Sequence, residues 1–119
     1  MINENLKLSG QLNIVLRDKD GNIKEERTEK NLVVATGLTF IASRMKDATA
    51  TAMTHMGLGS GTSNAVAGQT DLVSLLGSRE VLDSTTASSN TIVYVSSFEA
   101  GDATGAVTEA GIFNAASSG

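Results

Sequence analysis

The 119-residue sequence predicts a mainly β protein, an antiparallel β-sandwich or twisted sheet carrying one short α-helix. Three observations lead there. Apolar and polar residues alternate strictly near the N-terminus. Apolar β-branched runs return near the C-terminus. Between them, a single short stretch switches to helical spacing. The length suits one domain, residues 1–119, with one hydrophobic core.

Leu6, Leu8, Leu12, Ile14 and Leu16 share one face of an extended segment, with Gly10 the only gap. Lys7, Ser9, Gln11, Asn13 and Arg17 fall on the other, so residues 6–16 read as a half-buried strand. Asp18-Lys19-Asp20-Gly21-Asn22 supplies a tight turn, and a returning strand runs from Ile23 to about Val34. Its run Lys24-Glu25-Glu26-Arg27-Thr28-Glu29-Lys30 is a solvated face that also discourages edge pairing.

Leu38, Ile41, Ala42 and Met45 then recur at i, i+3, i+4 and i+7, which places a helix over about residues 36–46 with Thr36 as its N-cap. His55-Met56-Gly57-Leu58-Gly59 reads as a short strand, and Gly59 to Gln69 as an exposed, flexible loop. Residues 70–76 offer a second, shorter helical turn. Val81 and Leu82 precede a Ser/Thr/Asn turn at 84–90. Beyond it, Ile92, Tyr94 and Phe98 face one way and Val93 and Val95 the other, the pattern of a central strand. A Gly-Asp-Gly turn at 100–106 leads to a last strand, Val107 to Phe113. There Glu109, Gly111 and Phe113 share a face. Phe113 is expected to anchor a core or an interface. The strand is read as lying at an edge or contact surface, where Gly111 would let another backbone approach and Glu109 would meet a basic group of its own N-terminal half or of a neighbouring subunit; the alternative is a simple surface carboxylate beside a glycine bulge. These three residues are the candidate interface.

Composition narrows the function. The sequence has no Cys, Trp or Pro, one His, one Tyr and three Phe. Without cysteine there is no disulfide framework or thiolate chemistry, and one histidine excludes the usual multi-histidine zinc sites. Few aromatics means a core that buries little per residue, so a partner surface is expected to complete it. The N-terminus lacks the basic and apolar regions of a signal peptide, and no apolar run approaches a membrane span, so no membrane partner is expected. The net charge of −4 argues against nucleic acid. Up to Lys46 eight basic and six acidic residues give +2. From Asp47 onward Arg79 against seven acids gives −6, a split suited to head-to-tail packing.

Candidate chemistry is sparse. Asp18, Asp20, Asn22, Glu26 and Glu29 sit at EF-hand positions 1, 3, 5, 9 and 12, but Ile23 replaces the glycine at 6 and Glu25 the apolar residue at 8. A hairpin turn requires the same residues, and no calcium dependence is expected. Gly57-Leu58-Gly59-Ser60-Gly61-Thr62 lacks the lysine of a Walker loop and the third glycine of a dinucleotide fingerprint. Ser60 lacks the nucleophile-elbow spacing, and His55 has neither a nucleophile nor an orienting carboxylate beside it in sequence. No catalytic residue, metal or cofactor is assigned.

Three segments in order nevertheless form a pattern: Asn31-Leu32-Val33-Val34-Ala35-Thr36-Gly37; Met56-Gly57-Leu58-Gly59-Ser60-Gly61-Thr62 with the later Thr70-Asp71-Leu72; and Thr108-Glu109-Ala110-Gly111-Ile112-Phe113-Asn114. Over residues 6–119 this resembles small bacteriophage virion proteins and the N-terminal modules of tail-collar and tail-fibre proteins. Proteins of that kind continue past this point with a small-residue turn and an Arg/Phe-containing strand. Here the sequence ends at Ser117-Ser118-Gly119, so either the natural chain runs on or the last strand position is open.

The resemblance implies a non-enzymatic structural protein of the virion, made in the host cytoplasm. A capsid decoration or cement protein on the major capsid protein is favoured. A tail, collar or baseplate adaptor holding a tail fibre is the alternative, and a carbohydrate-binding module using residues 57–63 is a third reading. The expected partners are copies of itself, as a homotrimer or other small homo-oligomer, and one further virion protein.

Overall fold

A computed structural model describes residues 8–118. The order is β1 (Gly10–Arg17), β2 (Ile23–Asn31), α1 (Ala35–Lys46), β3 (His55–Gly59), β4 (Glu80–Val81), β5 (Ser84–Ser88), β6 (Thr91–Val95) and β7 (Glu109–Phe113). The described residues are mainly β, paired antiparallel, with one helix. The strands divide into three small sheets: a β1–β2 ribbon, a β4–β3–β7 sheet and a β5–β6 ribbon.

The first ribbon follows from the alternation. Leu12 and Ile14 are half-buried while Gln11 and Asn13 are exposed. Residues 6 and 7 of the expected strand lie outside the described residues. The turn is built on Asp18, whose Oδ1 accepts the N–H groups of Asp20 and Asn22, both at 2.9 Å, while Gly21 takes a positive φ of 85°. The returning strand stops at Asn31 and not at Val34, because its partner begins at Gly10, opposite Asn31.

The helix starts one residue early, with Val34 at its N-cap and no side-chain cap; the Thr39 hydroxyl bonds back to the Ala35 carbonyl at 3.2 Å. Its expected apolar face is largely uncovered. Ile41 is half-buried, Leu38 is 48% exposed and Met45 is 74% exposed. The backbone of α1 lies beside none of the strands. It is tethered at its start by the Ala35 N–H on the Ala67 carbonyl at 2.7 Å, and near its end by Arg44 on the Ala50 carbonyl at 3.0 Å.

Two expectations about the second half are corrected. Residues 84–88 are a strand, with the turn confined to Ser89-Asn90, because Thr85 and Thr86 are β-branched and find partners in Tyr94 and Val93. And β6 is not central: among the described residues β5 is its only partner.

The core is the middle of the three-stranded sheet. Met56 and Leu58 are the buried hydrophobic side chains among the described residues, each worth about 1.5–3 kcal/mol by burial. Gly57, Gly59 and Gly61 are buried with them. The β1–β2 ribbon meets this sheet where Leu12 and Asn31 share a crevice with Met56, Ala110 and Ile112. Arg27 ties the two together by donating to the Val107 carbonyl at 2.9 Å. No helix among the described residues is long and apolar enough to cross a membrane.

Candidate functional site: a carboxylate held by main-chain amides

Strands β3 and β7 pair with Gly59 opposite Glu109, Gly57 opposite Gly111 and His55 opposite Phe113. Glycine at 57 and 59 of β3 and at 61 just beyond it, spaced at the strand period, leaves the face that His55 shares bare of side chains from residue 57 to 61. Glu109 fills part of that space. One carboxylate oxygen accepts the N–H of Gly61 at 2.6 Å and of Ser74 at 2.8 Å; the other accepts the N–H of Val73 at 2.8 Å. A Cβ added at Gly59 would lie 2.6 Å from the Ser74 carbonyl oxygen and 2.7 Å from the Glu109 carboxylate, and one at Gly61 would overlap the same carboxylate.

Around this contact the main chain is laced together. Thr108 donates its N–H to the Gly59 carbonyl at 2.8 Å and its hydroxyl to the Gly61 carbonyl at 2.7 Å. Ser60 N–H donates to the Ser74 carbonyl, and Leu76 N–H to the Leu58 carbonyl, both at 2.9 Å. Leu75 forms an antiparallel bridge with Gly59. Residues 70–76 are therefore not a helical turn. The Val73, Ser74 and Leu76 amides and the Ser74 carbonyl serve Glu109 and β3, and the Leu72 amide donates to the Asp71 side chain, so these groups are not paired as in a helix.

The expected site residues thus come together with altered roles. Glu109 meets three main-chain N–H groups where a basic side chain was expected. Gly111 makes room for a side chain, not a backbone: a Cβ there would lie 2.9 Å from the Phe113 ring and 3.3 Å from Leu72 Cδ2. Phe113 is half-buried, its ring covering Gly57 and Gly111. Among the described residues strand β7 pairs with β3 alone, which places it at an edge of this sheet.

Beside it lies a second cluster, of which the sequence carries one sign, Arg79 alone among the acids of the second half. The Arg79 guanidinium, with its side chain 5% exposed, stacks 3.6 Å from the Phe113 ring centroid. It donates to Asp71 Oδ1 at 3.0 Å and to the Ala115 carbonyl at 3.1 Å. Burial raises the Asp71 pKa, but the Leu72 N–H, Arg79 and the Ser118 hydroxyl outweigh it and hold the carboxyl below its ordinary value.

The remaining candidates stay apart. The His55 ring Nδ1 lies 2.7 Å from the Thr54 hydroxyl, with no carboxylate among its hydrogen-bond partners. Ser60 lies 3.3 Å from the Ser74 hydroxyl. The Asp18 carboxylate is occupied by the turn, and no group of three or more His, Asp or Glu side chains suited to a metal occurs among the described residues. Of the glycine segment, only the part from Thr62 onward is exposed. The signal for the clamp was in the sequence: three glycines at period two on one strand imply a large neighbour on that face, and Glu109 is that neighbour. In comparisons with known proteins, no family model, curated protein or solved structure matches this chain.

Two outcomes follow. Glu109→Ala should destabilise the protein by about 2–4 kcal/mol in urea unfolding, since three N–H groups lose a charged acceptor. Gly59→Ala should also destabilise it, and the double variant should cost less than the sum, because both disturb one contact. Strict additivity contradicts the clamp.

The second outcome concerns acid. A carboxylate with a depressed folded pKa contributes stability above the unfolded pKa, and that contribution fades as pH falls through the folded value. Asp71→Asn should therefore lower the melting temperature at neutral pH and flatten its decline below about pH 4. Decline parallel to the parent's would contradict the Asp71–Arg79 contribution.

Proposed function

We propose that this chain is a non-enzymatic structural protein of a bacteriophage virion, most simply a capsid decoration protein seated on the major capsid protein as a small homo-oligomer. The observation that carries the reading is what the recurrent segments are used for. Met56–Gly61, Thr70–Ser74 and Thr108–Phe113 meet around Glu109, and their polar groups are occupied in holding backbone to backbone. A pattern of that kind serves as a fold signature, and its side chains are committed to structure and not held ready for a substrate.

The surface supports the same reading. Large apolar side chains at Leu16, Ile23, Met45, Val81 and Ile92 are half or more exposed, surface that a partner would cover. The unpaired edge of β7, with Glu109, Gly111 and Phe113 along it, is the strand we assign to contact with the second virion protein.

Quantitative mass spectrometry of purified particles, with antibody labelling, tests the proposal. Copies in proportion to the major capsid protein, labelled over the head, are expected. A small fixed set at the tail gives the adaptor reading instead, and absence from particles contradicts both.

A further inference from the structure

Strand β7 ends at Phe113, and residues 114–118 run on as an irregular, exposed strap. Asn114, Ala115, Ala116, Ser117 and Ser118 offer no side chain that could anchor it by apolar burial. An open space of about 590 Å³ lies between the strap and Thr70–Asp71, lined also by Arg79 and Phe113, so the strap is not packed down on the body.

Polar tethers hold it instead. Asn114 donates from Nδ2 to the Thr51 carbonyl at 3.3 Å, the Ala115 carbonyl accepts from Arg79 at 3.1 Å, and the Ser118 hydroxyl bonds the Asp71 carboxyl. Two of these three end on the Asp71–Arg79 pair. That pair is fixed from below: Arg79 stacks on the Phe113 ring, and the Leu72 N–H donates to Asp71 Oδ1 at 2.8 Å. Ordering five residues costs conformational entropy, and no apolar burial offsets it here. The strap therefore stays down only while the charge-assisted bonds hold.

We propose that residues 114–118 are a strap latched by the Asp71–Arg79 pair, and that protonation of Asp71 releases it, uncovering Arg79 and Phe113 at the end of β7. The charges around Asp71 point to the proton as the trigger. Residues 70–76 and 114–118 carry no other charged side chain. Among the neighbouring elements, β3 brings His55, which bonds the Thr54 hydroxyl, and β7 brings Glu109, which is taken up by main-chain N–H groups. Glu80 opens β4, and Arg79 just before it is the group that pairs with Asp71. Burial raises the Asp71 pKa, but the Leu72 N–H, Arg79 and Ser118 outweigh it and hold the carboxyl below its ordinary value. The latched strap thus favours the ionised carboxyl, and by linkage a proton on Asp71 favours release as pH falls below about 4. What release serves rests on the contact assigned to β7 above. Release itself is read on the isolated chain, so it and particle binding fail separately.

A nitroxide on Ala116→Cys reports the strap (the chain has no other cysteine), with amide protection of β3 as the check on the fold. In the parent the label should be immobilised at neutral pH and should lose that immobilised signal below about pH 4. In Asp71→Asn it should be mobile at both, with β3 still protected. A label already mobile in the parent at neutral pH, or still immobilised in Asp71→Asn, overturns the proposal. Should acid open β3 as well, the comparison at neutral pH decides alone. Should Asp71→Asn lose its fold, Ser118→Ala, which removes one tether from the exposed side, takes its place. It should shed part of the immobilised signal at neutral pH, and an unchanged spectrum overturns the latch.

Discussion

The Glu109 carboxylate, held by three main-chain N–H groups above a strand floored with glycine, is the contact on which the rest of this structure depends. It joins three stretches distant in sequence: the end of β3, the turn at 73–74 and the start of β7. Charge-assisted bonds of this kind are stronger than neutral ones, and here they take the place of the side-chain packing that a larger core would supply. Met56 and Leu58 contribute burial beneath it. Gly59 and Gly61 are needed because the carboxylate and the 73–74 backbone occupy the space their side chains would take.

Much of the strand order was legible. Alternation located β1, the Asp-Gly turn located the hairpin, and the apolar β-branched runs located β6 and β7. What was not legible has physical causes. Thr85 and Thr86 sit among serines, and composition alone reads such a stretch as turn, although Thr is a good strand residue once it has a partner. The helix was found by its period, but periodicity does not say what covers the apolar face, and Leu38 and Met45 are uncovered. Two-sided apolarity at Ile92–Val95 reads as a central strand, but among the described residues β6 pairs with β5 alone, and Ile92, Val93 and Val95 stay exposed. At the site, Glu109, Gly111 and Phe113 were singled out as a candidate interface, and the structure shows them in internal contacts, Glu109 on main-chain N–H groups and Phe113 over Gly111. Their partners were missed because main-chain N–H groups leave no mark in a sequence. Arg79, an isolated cation in an acidic half, was the visible sign of the second cluster.

The fold and its surface are linked. A chain whose buried hydrophobic side chains are Met56 and Leu58, with Leu16, Ile23, Met45, Val81 and Ile92 half or more exposed, has little core stability to draw on. Under the proposed role, binding of a partner would add to the stability of the folded state by mass action. The Glu109 clamp supplies a rigid local frame without a large core. This is the physical sense in which the proposed structural role and the unusual economy of side chains fit together.

The claim that the clamp organises the fold is tested most directly by native-state amide hydrogen exchange. The account predicts that the N–H groups of Gly61, Val73 and Ser74 exchange only with global unfolding, as slowly as the core amides of β3, although 73 and 74 lie in an exposed turn. Fast, local exchange at these three amides, with β3 still protected, would contradict it.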